Sequence, residues 1–181
     1  MEDQRFWEII AQSKPGKGSL ERQTERLAKA LSKLELDEVV DFDQAFVAAN
    51  RRLYTWDHWG AAELLFGGCS DDHFTDFRSW VIAQGRDVYE AFLADPDSIA
   101  AVGRVDDDEV GEAELFSYAA SEVYEDATGE EIDEALPEVD IVEPLEEPTG
   151  EPLAEDDREG YRRRYPRLFA ASVEQRKGRR P

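Results

Sequence analysis

Gly67-Gly68-Cys69-Ser70-Asp71-Asp72-His73-Phe74 divides the apolar content of the chain in two. Leu64-Leu65-Phe66 closes the segment before it, and Phe77, Trp80, Val81 and Ile82 follow it. Paired glycines stop a helix because glycine accepts the left-handed geometry that a helix end requires. Ser70 suits the cap of the next helix, since its hydroxyl can accept from a backbone N–H that has no partner inside the helix. Asp71 and Asp72 then fall beside the positive end of the helix dipole. The run reads as a mechanical corner between two helices, with its polar atoms taken up by backbone and neighbouring side chains.

Upstream of this corner the periodicity is helical throughout. Asp3 is a candidate cap for a helix over 3–12, in which Phe6, Ile9 and Ile10 share one face. Lys14-Pro15-Gly16-Lys17-Gly18 is a break; it lacks the Gly-Lys-Ser/Thr ending and the preceding strand of a phosphate-binding loop. Ser19 opens a second helix whose stripe is Leu20, Leu27, Leu31 and Leu34. Asp37 is expected to cap a third helix, through about Tyr54, that buries Val39, Val40, Phe42, Phe46, Val47 and Leu53. A fourth runs from Trp56 to Phe66.

Downstream, Gly85 ends the fifth helix, and Val88, Tyr89, Phe92 and Leu93 make a short one that Asp95-Pro96 breaks. Asp106-Asp107-Asp108-Glu109 reads as an acidic loop. The last strong helix spans Glu112 to Asp126, with Leu115, Tyr118, Ala119, Val123 and Tyr124 expected inward, and Gly129 closes it. The fold class is therefore all-α: a compact bundle of six or seven helices over residues 1–129. Residues 130–160 hold 14 acidic side chains, one basic side chain and four prolines. Such a composition cannot offset its chain entropy and reads as a disordered acidic linker. Residues 161–181 carry eight basic side chains and one acidic, a short basic helix broken at Pro166 or a disordered end.

The net charge of −22 opposes nucleic-acid binding by the folded domain, which would need clustered Lys and Arg for phosphates. One cysteine cannot form an internal disulfide. No apolar run approaches a membrane span, and acidic and basic residues interrupt the start of the chain, so a cytoplasmic location is the expectation.

Trp59-Gly60-Ala61-Ala62, the Gly67–Asp72 run, Phe74, Phe77-Arg78, Trp80, Gln84-Gly85-Arg86, Asp95-Pro96-Asp97 and Tyr118-Ala119-Ala120 together resemble the DUF4240 domain family of small bacterial proteins. The resemblance covers roughly Phe6 to Tyr124. The family has no known function, so it implies no substrate, cofactor or catalytic residue.

Arg78 is the most informative residue. At 100° per residue it lies about 40° from Phe74, among apolar neighbours. A buried guanidinium calls for a carboxylate, and Glu63 shares a face with Trp56 and Trp59. A structural Glu63–Arg78 pair is the leading expectation, with Asp71 or Asp72 as other partners; a ligand-facing arginine gripping a carboxylate or phosphate is the rival. Asp72, His73 and Asp76 offer too few ligands for a hard cation, and the zinc helix pattern is missing, so no metal and no cofactor are expected. Cys69, His73 and Asp76 could form a nucleophile group, but a lone cysteine more commonly packs as a small apolar residue, and no catalytic set is assigned. Trp80 lies about 120° from Phe74 near Asp76 and is expected to line a groove or anchor an interface.

The functional expectation is a protein–protein interaction module whose acidic surface masks a basic partner protein, as an immunity protein does. The alternative is a small enzyme or small-molecule sensor using a groove around Cys69, Asp72, Arg78 and Trp80. Candidate binding residues are Glu63, Cys69, Asp71, Asp72, Asp76, Arg78 and Trp80. The basic end is expected to fold back on its own linker or body.

Overall fold

The helical spacings become ten α-helices in a computed structural model, which describes residues 1–14, 16, 18–103, 105–135, 146–154 and 156–178. In chain order they are α1 (Asp3–Ser13), α2 (Leu20–Leu31), α3 (Leu36–Arg52), α4 (Trp56–Phe66), α5 (Asp71–Ala83), α6 (Arg86–Ala94), α7 (Asp107–Gly111), α8 (Ala113–Thr128), α9 (Arg158–Arg164) and α10 (Pro166–Gly178). Short 3-10 turns span Pro96–Val102 and Ile132–Ala135. Among the described residues there is no strand, and one isolated parallel bridge joins Thr55 to Thr149. No helix among them is long and apolar enough to cross a membrane.

The all-α class is as read from the sequence, and residues 1–129 hold eight described α-helices rather than six or seven because a short acidic helix reads as a loop. The acidic run Asp106–Glu109 opens it: Asp106 Oδ1 accepts from Asp108 N at 3.2 Å and caps α7. Two caps also shift. Glu2, not Asp3, precedes α1, and Asp3 instead accepts from Trp7 Nε1 at 3.2 Å. α3 starts at Leu36 after Glu35, so Asp37 lies in its first turn.

The corner forms as its residue types dictate. Gly67 takes φ 79° at the end of α4, and its N–H reaches Glu63 O at 2.8 Å. Ser70 Oγ accepts from His73 N at 3.3 Å and opens α5. From Phe77 to Ala83 every side chain of α5 is buried, because α3, α4, α6, α7 and α8 all pack against it. Trp80 is among them at 3% exposure, so it lines no groove; an α5 surrounded on all sides has no solvent face to offer. α8 packs on α2, α3 and α5 through Ala113, Phe116, Ala119, Ala120 and Tyr124. Ala119 and Tyr124 turn inward as the spacing predicts and Val123 packs against the core, but Leu115 and Tyr118 are 54% and 52% exposed, and Phe116 and Ala120 take the inward places beside them.

Beyond α8, the described part of the segment read as linker includes the 3-10 turn, which buries Ile132, and Thr149, whose N–H donates to Tyr54 O at 3.1 Å. Residues 136–145 of that segment lie outside the described residues. The basic segment folds back on the body, with Tyr161, Tyr165 and Leu168 buried. Its helix breaks at Pro166 as expected: proline lacks an N–H and suits a first helical position.

Candidate functional site

Helices α3, α5 and α8 each pack against the other two. A cleft of about 590 Å³ opens between α3, α5 and α8. α5 contributes Asp71, Thr75, Arg78 and Ser79, which one face of a helix presents together. α3 contributes Asp43, Phe46, Val47, Asn50 and Arg51, followed by Tyr54. Ser117, Tyr118 and Ser121 of α8 and Ile132 and Asp133 of the 3-10 turn complete the lining.

Arg78 is 8% exposed. Its Nε donates to Phe74 O at 3.4 Å, Nη1 to Asn50 O at 3.2 Å and Nη2 to Thr75 Oγ1 at 3.0 Å. The Tyr54 and Phe74 rings lie 4.6 and 5.0 Å from its central carbon. Among the described residues no carboxylate forms a salt bridge with it. The expected pairing with Glu63, Asp71 or Asp72 is thus replaced by carbonyl, hydroxyl and ring contacts. Burial pulls the guanidinium down to about 10, while Tyr54 acts the other way, so it remains a cation at neutral pH. A guanidinium carries five N–H bonds, and three are used. The other two have no acceptor among the described residues.

The acids of the cleft differ in character. Burial pushes Asp43 up to about 6; the hydrogen bond from Gln44 draws it back and Asp133 adds repulsion. Asp71 is exposed. Asn50 Nδ2 donates to Ser79 Oγ at 3.1 Å, which steadies the floor between α3 and α5.

The other candidates sit elsewhere. Cys69 is half-buried beside Ser70, and its thiol is pushed up to about 12, first by burial and then by Glu63, Asp107 and Asp71. Its carbonyl accepts from Trp59 Nε1 at 3.2 Å. His73 Nε2 faces Asp107 Oδ1 at 3.2 Å. Asp76 is half-buried and raised, by burial first and then by Glu114. Asp72 is exposed. Glu63 lines a separate cavity of about 190 Å³ with Trp56, Trp59, Gly60, Pro152, Leu153 and Tyr161. Of the seven residues singled out, Asp71 and Arg78 meet in the large cleft. Among the described residues no group of three or more His, Cys, Asp or Glu is placed to hold a metal ion.

Sequence reading passed over Asn50, Tyr54, Thr75 and Asp43 as site residues. The available signal was Arg78 itself, one turn after Phe74 and three residues after a hydroxyl. A family model described as "Protein of unknown function (DUF4240)" matches residues 1–126. No curated protein and no solved structure matches the chain.

Proposed function

The chain belongs to the DUF4240 family, and from that premise we propose that its domain binds a small organic anion in the α3/α5/α8 cleft, with Arg78 taking the carboxylate or phosphate. The carrying observation is a guanidinium more than nine-tenths buried with no acidic partner among the described residues. Desolvating a cation costs free energy that carbonyl contacts return only in part. An anion at the two spare N–H bonds offsets that cost and gains charge-assisted hydrogen bonds. Half-exposed Tyr118 lines the same cleft, and the Tyr54 ring lies against the cation, so the guest carries an apolar body as well as an anionic head. Asp43, Asp71 and Asp133 repel a second anionic group, which favours a monoanion over a polyanion.

Thermal unfolding in the presence of inorganic phosphate, succinate, benzoate or phenyl phosphate tests this reading. A ligand at about 100 times its dissociation constant stabilises by about 2.7 kcal/mol, a shift of several degrees for a chain of this size. The aromatic monoanion is expected to shift the midpoint most, and Arg78→Met to abolish the shift. No shift with any of the four, or an equal shift in the variant, counts against it.

A further inference from the structure

A second surface, made of residues other than those that line the Arg78 cleft, already has an occupant. Asp97, in the 3-10 turn Pro96–Val102, is 2% exposed, and both of its carboxylate oxygens are engaged by one short segment. Oδ2 accepts from Arg167 N at 2.9 Å and Arg167 Nε at 3.0 Å, and Oδ1 accepts from Leu168 N at 2.9 Å. Pro166 begins α10 and has no N–H, and Phe169 N reaches Tyr165 O at 2.9 Å. The N–H groups that a helix start leaves without partners are therefore met from a different part of the chain.

The residue before the proline is read as closely. Tyr165 is 1% exposed, and its hydroxyl donates to Asp57 O at 2.8 Å. It rests on Gly60, where a β-carbon would stand 2.5 Å from the Tyr165 oxygen; the three nearest atoms to that carbon all belong to Tyr165. Arg164 Nη1 pairs with Asp57 Oδ1 at 2.8 Å, and Arg167 pairs with Asp95 as well as Asp97. Asp57, Gly60, Asp95 and Asp97 lie within residues 1–126, where the family model matches, and the segment they hold lies outside it.

We propose that this face of α4 and the 3-10 turn is a docking site for a basic helix start of the form Tyr-Pro-Arg-Leu, filled here by the chain's own residues 165–168 as a tethered, exchangeable ligand. Three of the four residues have a distinct reader, and the proline needs none. Gly60 leaves room for the aromatic ring, the proline needs no N–H partner, Asp95 and Asp97 take the arginine, and a buried site takes the leucine. An outside segment of the same chemistry competes with the tethered copy, and its apparent affinity falls by the fraction of sites the tether leaves open.

The experiment uses three full-length chains and a labelled peptide of residues 156–172. In wild type the peptide binds weakly, because the site is filled. In the Tyr165→Ala/Arg167→Ala chain, whose own segment is weakened, it binds about tenfold more tightly or better. In Gly60→Ala, where alanine is the better helix former but blocks the ring, it does not bind. Hydrogen exchange provides the second reading. Wild-type amides of 165–169 exchange through openings that leave α5 and α8 protected, and both variants speed exchange there alone. Equal peptide binding by all three chains, or no gain in the double variant, overturns the proposal. So does exchange in which 165–169 opens only with α5 and α8, in wild type or through collapse of their protection in a variant, since the segment is then a fixed part of the core.

Discussion

Arg78 Nη1 donates to the carbonyl oxygen of Asn50 at 3.2 Å, which ties the core helix α5 to the last turn of α3. A carbonyl orients a guanidinium without cancelling its charge. Thr75 Oγ1 and the Phe74 carbonyl do the same from α5 itself. The cation is thus fixed in position before any guest arrives, and fixing a binding group in advance lowers the entropy cost of using it.

Tyr118 and Leu115 lie on the same helix, are similarly exposed, and differ in whether they line the cleft. Tyr118→Ala is expected to weaken benzoate binding about fivefold, the equivalent of roughly 1 kcal/mol of apolar contact. Leu115→Ala should leave binding unchanged. Both should alter stability by no more than about 0.5 kcal/mol, as exposed positions do. Titration of the two variants by calorimetry checks this, and equal losses would point away from the cleft.

Asp43 and His58 give opposed pH dependences. Asp43 titrates near 6 in the fold because burial disfavours its charge, so its protonated form favours folding. That contribution is complete below the ordinary carboxylate range and is lost as pH rises through about 6. His58 is held neutral, lowered to about 4 chiefly by burial, between Thr55 Oγ1 at 2.7 Å and Phe92 O at 3.2 Å. Its contribution is present above the ordinary histidine value and is lost as pH falls toward 4. Asp43→Asn should therefore gain stability relative to wild type as pH rises from 4 to 7, on the order of 2 kcal/mol. Urea unfolding at four or five pH values measures it; a constant difference would mean that Asp43 is not held protonated by the fold.

Cys69 is expected to be an unreactive thiol. Its value near 12 leaves little thiolate at pH 8, so a disulfide reagent should react on the order of a hundredfold more slowly with the native chain than with the chain in denaturant. Cys69→Ser should not change anion binding. Native reaction at the denatured rate would return the cysteine to consideration as a nucleophile.

Local chemistry was legible in the sequence, and convergence was not. The Gly67 stop and the Ser70 cap depend on residues within one turn, and both stand where they were read. Leu115 and Tyr118 fit an apolar stripe by spacing, but the face of α8 that turns inward is chosen by α2, α3 and α5. Trp80 was assigned an open side by a wheel drawn for a surface helix, and α5 has none over its last two turns. The buried state of Arg78 could be read from its neighbours. Its partners could not, because Asn50 and Tyr54 come from another helix and the turn after it. The return of the basic segment onto the body was legible from its charge, but its receivers Asp57, Asp95 and Asp97 were not, because they lie far from it along the chain.

Calorimetric titration of wild type, Arg78→Lys and Arg78→Met with benzoate tests the central claim most directly. Each variant should stay folded, with stability within about 2 kcal/mol of wild type: Arg78→Met relieves the desolvation of a cation while it leaves acceptors unmet, and Arg78→Lys keeps a cation that still reaches some of the same acceptors. Wild type should bind one benzoate per chain. Arg78→Lys should bind about tenfold more weakly or worse, since an ammonium cannot reproduce the planar fork, and Arg78→Met should give no heat of binding. Equal affinity in all three folded chains would show that the guanidinium does not hold the anion.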